Sequence, residues 1–267
     1  MSDAFHNPYD PTPIQESKLS GQMDYMRSFH FIFENPNWTA NVLWCGLCML
    51  STAVVPVIGQ LVMIGYLFEV IEAIHLRRTK TYPDFEFDFD RLIEYLVRGF
   101  WVFLVQLVLL AVVAAIVLGL IIVVGLVGGL VGAAGGDQAA GIAIAVILLI
   151  GIPVLLILAI VVNMFMVPIV LRAGLTQDFG QAFNFSFAKQ FVRSTWLEMI
   201  ITALFLMVAA IAAEIVGFFM LCIGIFFTMS IIMFMQAHLG LQLYELHLAR
   251  GGEAIPLKPA KPAPPVA

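Results

Sequence analysis

The sequence predicts an all-α integral membrane protein with six transmembrane helices, arranged as three helical hairpins with amphipathic helices on the cytoplasmic surface. The composition is 61% hydrophobic and only 12% charged, whereas soluble domains carry about 25% charged residues. All thirteen Lys and Arg residues lie in four blocks, separated by three stretches without any, at 28–76, 99–171 and 194–249. Each stretch is long enough for two crossings of about 20 residues. An even number of crossings returns every cation to the same side.

That side is expected to be the cytoplasm, because cytoplasmic loops are enriched in Lys and Arg. The sequence therefore predicts a multi-pass protein of the cell membrane with both termini cytoplasmic and the lipid bilayer as its first partner. The first 37 residues lack the basic start and apolar run of a signal peptide, so the first crossing is expected to direct its own insertion. A net charge of −5 provides no basic footprint for nucleic acid, which is not an expected partner.

The first predicted hairpin spans about 38–76 and follows a tail, 1–22, that we expect to be disordered. Pro56 and Gly59 place a tight turn at 55–59 and leave two short helices around it. An alternative is a re-entrant segment that enters and leaves on the cytoplasmic side, since that topology also returns the chain to its cations. The charge pattern is consistent with both topologies.

The second and third predicted hairpins span about 99–171 and 196–248. The second divides at the Gly-rich stretch 128–141, and its helices of about 28 residues would extend ~42 Å. Such helices must tilt or project beyond the membrane. The third divides around 217–224. Residues 249–267 are rich in proline and are predicted to be a disordered cytoplasmic tail.

Aromatic residues precede two of these hairpins with the same spacing, at Tyr25, Phe29, Phe33 and Trp38 and again from Phe183 to Trp196. Steps of four keep side chains on one helical face, which predicts amphipathic helices lying on the inner membrane surface. The second hairpin matches in part, through Leu92, Leu96 and Trp101. The similarity suggests a threefold parallel repeat around a central site. The alternative is that any hairpin that starts in the cytoplasm acquires such anchors. The predicted interface anchors are Trp38, Trp101, Trp196, Arg77, Arg172 and Arg250.

Several short motifs resemble an uncharacterised prokaryotic membrane family, domain of unknown function 4013. Pro56-Val57-Ile58-Gly59 with Gly65-Tyr66 is similar to the first-hairpin signature of that family. Two cytoplasmic connectors of the family resemble the segment from Pro83-Asp84-Phe85 to Gly99 and the segment 178–183. The resemblance covers about residues 20–248. It implies a polytopic bacterial or archaeal membrane protein and carries no catalytic residues.

The segment from Pro83 to Asp90 alternates acidic and aromatic residues, P-D-F-E-F-D-F-D. Period-two alternation predicts an extended segment with one acidic and one apolar edge. Acids at alternate positions also resemble a calcium-binding loop, but Phe89 stands where that loop needs Gly and Tyr95 where it needs Glu. We therefore expect the aromatic edge to contact lipid headgroups or a partner strand.

Polar residues within the crossings are where function is first sought. Glu72 and His75 have the E-x-x-H spacing of di-iron bundles, but the second such motif is missing, so no metal and no cofactor are predicted. Gln106 and Asn163 are candidate interhelical hydrogen-bond partners. One hypothesis is a structural or proton-handling cluster at the inner helix ends, and the other is a set of separate residues at the interface. The candidate inner polar cluster comprises Glu69, Glu72, His75, Asn163, His238, Gln242 and Glu245.

The glycines Gly125, Gly129 and Gly132 have the small-residue spacing that lets membrane helices approach closely. They are predicted to pack helices, with the start of a flexible loop as the alternative. No nucleophile, phosphate-binding or zinc motif occurs in the sequence, so we do not expect an enzyme. The predicted function is a scaffold, assembly or accessory subunit of a membrane complex, with a membrane-protein partner or a second copy. The alternative is a transporter or channel for a small or apolar solute.

Overall fold

A computed structural model describes residues 22–76, 81–220 and 224–258. Within these ranges all regular secondary structure is helical, which confirms the predicted all-α class. Four helical segments are long and apolar enough to cross a membrane: Ile58–His75, Phe89–Gly136, Phe185–Phe219 and Gly224–Ala249. Two shorter apolar helices accompany them, Trp38–Ser51 and Ile160–Thr176. Nearly all of the predicted N-terminal tail and residues 259–267 lie outside the described residues.

The helices follow in the order α1 Tyr25–Phe33, α2 Trp38–Ser51, α3 Ile58–His75, α4 Phe89–Thr176, α5 Phe179–Ala182, α6 Phe185–Phe219 and α7 Gly224–Ala249. The first helix begins where Asp24 accepts a hydrogen bond from the backbone N–H of Arg27, at 2.9 Å. That bond satisfies one of the free amides at the helix start. Phe31 and Ile32 bury the inner face of α1 against the helices that follow.

The turn between α2 and α3 falls at the predicted Pro56 position. Val57 has a φ of 82°, a value that a β-branched residue rarely adopts. The backbone N–H groups of Ala53, Val54 and Val55 donate to carbonyls at Leu50 and Ser51, so the turn satisfies them internally. A Cβ added to Gly59 would overlap the carbonyl of Cys48, so only glycine permits this close approach of α3 to α2.

Helix α4 is divided into two limbs by one residue, Gly136, whose φ of 76° and ψ of 179° are not helical. These angles are essentially restricted to glycine. The limbs lie side by side, since a Cβ on Gly128 would come 3.0 Å from the Ile144 side chain. The sequence predicts a connection over 128–141, but the structure keeps helix on both sides of Gly136. A helix there pairs the backbone N–H and C=O groups on both sides of Gly136 within the chain itself.

Helix α6 bends at Thr195, where φ is −132°, just before Trp196. The Thr195 hydroxyl donates to the Phe191 carbonyl at 2.8 Å, a local bond that bends helices. The bend separates a first segment with buried Phe187 and Phe191 from a long apolar one. The predicted start of the third apolar stretch, residue 196, coincides with this bend.

Helix α3 lies at the centre and is buried on most of its circumference, from Val62 to Ala73. It packs most extensively on α4 and also contacts α2 and α7. Gly65 of α3 and Gly99 of α4 make this contact possible, because a Cβ on either would overlap a carbonyl of the other helix. Helix α7 in turn contacts α1, α2, α3 and α6, so it joins the two ends of the chain.

The C-terminal segment after α7 packs on the helices as far as it is described. Ile255 is buried, and its backbone N–H donates to the Tyr244 hydroxyl at 2.7 Å. The Lys258 backbone N–H donates to the Leu175 carbonyl, and its ammonium donates to Gln177. The proline content of 249–267 predicts a flexible tail, but residues up to 258 are docked by these contacts. The proline composition of the segment does not predict that Ile255 is buried against the helices.

Candidate functional site

A cavity of about 550 Å³ lies between α3, both limbs of α4, α6 and α7. Its walls are mostly aliphatic and aromatic, including Phe68, Ile71 and Val102. A cavity of 300–1,000 Å³ lined by apolar groups with a few polar ones is typical of small-ligand sites. The cavity is therefore the principal candidate functional site.

The polar groups lining the cavity are all uncharged and come from five different helical segments. They are Gln60, Gln106, Asn163, Thr202 and Gln236. In the described part of the chain, none of the four amide side chains hydrogen-bonds another protein group. An unpaired amide in an apolar setting costs free energy, so these groups are free to bind a ligand oxygen.

Four methionines complete the lining and make it adaptable. Met164, Met199, Met207 and Met233 come from α4, α6 and α7. Methionine has three rotatable bonds and a polarisable sulfur, so it adjusts to irregular apolar surfaces. The cavity can accommodate a flexible apolar ligand without a rigid shape match.

Glu69, one of the predicted inner polar residues, forms an ion pair with Arg91 of α4. The same guanidinium contacts Glu86 at 3.2 Å and Glu94 at 2.6 Å, so it joins three carboxylates. Arg91 also lies over the Tyr95 ring, 5.2 Å from its centroid. Glu69 is thus held by an ion-pair network, away from the cavity.

Glu72 also forms an ion pair with α4, through Arg98. Arg98 lies about one helical turn after Tyr95. The N–O distance is 2.6 Å, and the two side chains are only 10% and 16% exposed. Burying a charged side chain is costly unless an opposite charge pairs with it. The pair attaches α3 to α4 next to the Gly65–Gly99 contact.

His238 of α7 contacts the second half of α1, and Gln242 of α7 binds the residue that precedes α1. The His238 ring stacks on Phe31 with centroids 4.5 Å apart, and its Nδ1 lies 3.0 Å from the Gln242 amide. Gln242 accepts from the Asp24 N–H at 2.8 Å and donates to the Asp24 carbonyl at 2.9 Å. This two-way amide contact joins the N-terminal helix to α7.

The remaining members of the predicted cluster are distributed elsewhere. The His75 ring contacts Tyr244 at 5.1 Å, Glu245 is half-buried on α7, and Asn163 lines the cavity. Of the seven residues, Glu69 and Glu72 therefore form ion pairs with α4, His238 and Gln242 contact α1 and Asp24, and Asn163 lines the cavity. Within the described residues, no three His, Cys, Asp or Glu side chains lie close enough to bind one metal ion.

A serine–histidine contact occurs at the end of α7 that carries Arg250. Ser194 Oγ lies 2.7 Å from Nδ1 of His247, a buried residue. The same hydroxyl lies 2.9 Å from the Phe191 carbonyl, to which it can donate while accepting from His247. The Ser194–His247 contact joins α6 to α7.

The acidic–aromatic segment has no regular secondary structure from Pro83 to Asp88, whereas its last two residues, Phe89 and Asp90, already belong to α4. Its first part binds to the start of α2. Asp84 accepts hydrogen bonds from the side-chain amides of Asn35, Asn37 and Asn41, at 2.7–3.2 Å. Burial raises the pKa of Asp84, but the bonds from Asn37, Asn41 and Asn35 outweigh it and hold that pKa below its usual value. Asn41 also accepts from the Phe85 N–H at 2.8 Å. The amides therefore recognise both side chain and backbone.

The aromatic side chains of this segment face both protein and surroundings. Phe85 is buried among Tyr66 and Tyr95, whereas Phe87 is 63% exposed and stacks on Trp44 at 4.5 Å. Burial raises the pKa of the neighbouring Tyr82 to about 12, and its hydroxyl donates to the Ile32 carbonyl. The buried Phe85 thus holds the segment against the helices. For the exposed Phe87 and Phe89, the expected contact with lipid headgroups or a partner strand remains a prediction.

The predicted anchors occupy varied environments. Trp38 packs edge-on against Phe33, Trp101 is half-buried, and Trp196 is exposed. Arg250 is exposed and pairs with Glu198. Arg172 is buried, where its Nε donates to the Gln181 carbonyl and its guanidinium covers Phe187 at 5.1 Å. Arg77 lies outside the described residues.

The predicted packing glycines face different directions. A Cβ on Gly125 or Gly129 would meet open space, whereas Gly128 faces the second limb of α4 and Gly132 is half-buried. The close helix contacts instead use Gly59, Gly65 and Gly99, and also Gly174, over which the Phe68 ring packs. Sequence spacing did not identify Gly65, Gly99 and Gly174 as packing glycines, because each is matched by a residue far away in the chain. Gln60, Thr202 and Gln236 were missed for the same reason.

Comparison with known proteins identifies one family. A family model described as a protein of unknown function (DUF4013) matches residues 48–222, about two thirds of the chain. The match includes α3, α4, α5 and all of α6, and therefore most of the cavity wall. Neither the curated proteins nor the solved structures contain a match.

Proposed function

The chain belongs to the DUF4013 family of proteins of unknown function, and we propose that it is a non-catalytic scaffold, assembly or accessory subunit of a prokaryotic membrane complex. The length of the two α4 limbs is the main support for this proposal. Residues 99–136 contain no charged side chain and extend about 57 Å at helical rise. At a tilt of 40° they still span ~44 Å along the membrane normal, against a hydrocarbon core of about 30 Å.

The described side chains in the far part of these limbs, on both sides of Gly136, are largely exposed. Leu126, Leu130 and Leu149 are 61%, 72% and 76% exposed. Apolar surface of this extent, outside the core of the bilayer, is characteristic of an interaction site. A membrane protein that covers the far part of α4 would remove that surface from water.

The topology we propose is six crossings in three hairpins, with both termini in the cytoplasm. Support comes from the break at Gly136, the side-by-side limbs of α4 and the location of Arg91, Arg98, Arg172 and Arg250 at one end of their helices. The short first hairpin needs the bilayer to thin around it. Helix α2 extends only ~21 Å, and Val54 in its turn is 84% exposed and apolar. These two facts support the re-entrant alternative for this hairpin.

Crosslinking in native membranes tests the subunit role. A photoactivatable amino acid at Leu126, Leu130 or Leu149 should crosslink to one protein of defined mass, because these side chains face away from the chain's own core. The matched control is Leu204, also exposed but on α6 at the level of the cavity, which should crosslink to lipid. Crosslinks to lipid alone from all four positions would refute a partner-bound α4.

The cavity favours a second candidate function, transport of a small apolar solute. Its opening among five helical segments provides a binding site, while Glu69 and His238 are held in contacts outside it. Uptake of apolar dyes into vesicles containing the purified protein tests this candidate. Uptake equal to that of empty vesicles would exclude it for those dyes, whatever the crosslinking shows.

A further inference from the structure

We propose that the cavity binds one neutral lipid, with a hydrocarbon body and an uncharged hydroxyl or ester carbonyl group, taken from the surrounding bilayer. This site goes beyond the proposed subunit role, because it rests on the cavity and not on the α4 surface. The cavity is bounded by membrane-type helices on all sides and is partly open between them. A ligand would therefore come from the lipid phase.

The depth of the unpaired amides in the membrane indicates where the polar group of the ligand must lie. Gln106 follows Arg98 by eight residues and Asn163 precedes Arg172 by nine, which places both ~12–14 Å from the charged helix ends. Gln236 precedes Arg250 by fourteen residues, about 21 Å. In a bilayer with a core of about 30 Å, these levels lie within the hydrocarbon. The ligand must bring its polar atoms to that depth.

A charged headgroup cannot occupy this position at low cost. No Lys, Arg, His, Asp or Glu lines the cavity among the described residues, and moving an ion into an apolar medium is strongly unfavourable without a counter-charge. Phospholipids keep their phosphate at the interface. A diacylglycerol-type lipid has one hydroxyl and two ester carbonyls, all uncharged. Carboxamides both donate and accept hydrogen bonds, so they suit this pair of groups.

The volume fits part of such a molecule. A space of about 550 Å³ corresponds to roughly 18 water-sized groups at ~30 Å³ each, which is enough for the glycerol ester region and the start of one chain. The remaining chain would leave through the opening into the bilayer. The methionine lining adapts to acyl chains of different shape.

Photolabelling of the purified full-length protein in phospholipid nanodiscs tests the proposal. The probe is a diacylglycerol with a diazirine on one acyl chain, and its counterpart is phosphatidylglycerol carrying the same chain. The wild type should be labelled by the diacylglycerol probe, and excess unlabelled diacylglycerol should suppress labelling. The double variant Q106L/N163L should lose about tenfold in labelling at limiting probe, since two ligand hydrogen bonds are removed.

A cavity-filling variant separates ligand loss from loss of folding. Ala203→Phe places a ring in the cavity, whereas Ala212→Phe adds the same ring on the exposed opposite side of α6. Both should retain the wild-type unfolding temperature, and only Ala203→Phe should abolish specific labelling. Equal labelling of the two variants, or labelling by phosphatidylglycerol as strong as by diacylglycerol, overturns the proposal. Because α4 crosslinking is measured separately, either proposal can fail while the other stands.

Discussion

Gly65 of α3 and Gly99 of α4 are reciprocal partners in a close crossing of these two helices. A Cβ on Gly65 would overlap the Tyr95 carbonyl, and a Cβ on Gly99 would overlap the Leu61 carbonyl. Each glycine thus lies under the backbone of the other helix, one turn from the partner glycine. Small residues enable such contact in membranes, where van der Waals packing replaces the hydrophobic drive between helices. The contact positions Gln60 and Gln106 on the same cavity wall.

Replacing either glycine by alanine should destabilise the protein by about 1–3 kcal/mol, because the helices must separate to admit the methyl group. Gly65→Ala and Gly99→Ala should combine non-additively, since the first change already opens the crossing. Thermal unfolding in detergent measures both. Gly119→Ala is the matched control, because its Cβ would meet open space in the same helix as Gly99. A loss for Gly119→Ala as large as for Gly99→Ala would contradict the packing argument.

Removing Arg98 should cost about 3–5 kcal/mol, because it breaks a buried ion pair by deleting one partner. The double variant E72Q/R98M should recover most of this stability, since neither charge of the pair then remains. Denaturant unfolding of the two single variants and the double variant provides the coupling free energy.

The exposed ion pair of Arg250 and Glu198 provides the comparison for that experiment. Arg250 is 39% exposed and the pair is open to solvent, so Glu198→Gln should cost under about 1 kcal/mol. If both ion pairs proved equally costly to break, burial would not explain the effect at Arg98.

Asp84→Asn should destabilise the protein by about 1 kcal/mol at neutral pH, since its new N–H₂ group faces amide donors. The direction in which this stabilisation changes with pH follows from the lowered pKa of Asp84. The contribution is present above the unfolded pKa of about 3.9 and is lost as pH falls through the lower folded value. Unfolding temperatures of wild type and variant should therefore converge below about pH 4.

The nearby Asp88→Asn is the control for this pH experiment, because Asp88 is exposed and lies in the same extended segment. The unfolding temperature of Asp88→Asn should change between neutral and acid pH by the same amount as that of the wild type. A gap between wild type and Asp84→Asn that stayed constant from pH 7 to pH 3 would rule out the carboxylate as its origin.

Single cysteines in a Cys-free background should report the topology. Gln138→Cys, beside the Gly136 break, should react with an impermeant maleimide added to intact cells. Lys189→Cys should react only after lysis. Val54→Cys distinguishes the two topologies of the first hairpin: external reaction indicates a full crossing, and protection before and after lysis indicates a turn within the bilayer. External labelling of Lys189→Cys would reverse the proposed orientation.

Local signals predicted the chain breaks well. Pro56 and Gly59 mark the α2–α3 turn, Gly136 lies within the predicted connection, and the residue before Trp196 bends α6. Each break depends on residues next to it in the chain. The cavity amides and the Asp84 contacts join residues 40 or more positions apart. Their spacing carries no period, so one sequence could not reveal them.

The ion pairs of α3 have a consequence for the order of membrane insertion. Glu69 and Glu72 leave the ribosome before their partners Arg91 and Arg98, by 22 and 26 residues. Until those arginines emerge, the two carboxylates of α3 lack these ion pairs, and α3 would settle only shallowly in lipid. Completion of α4 supplies both cations and the Gly99 contact together. The first helical pair should therefore reach its final depth late, as a step of biogenesis controlled by the second.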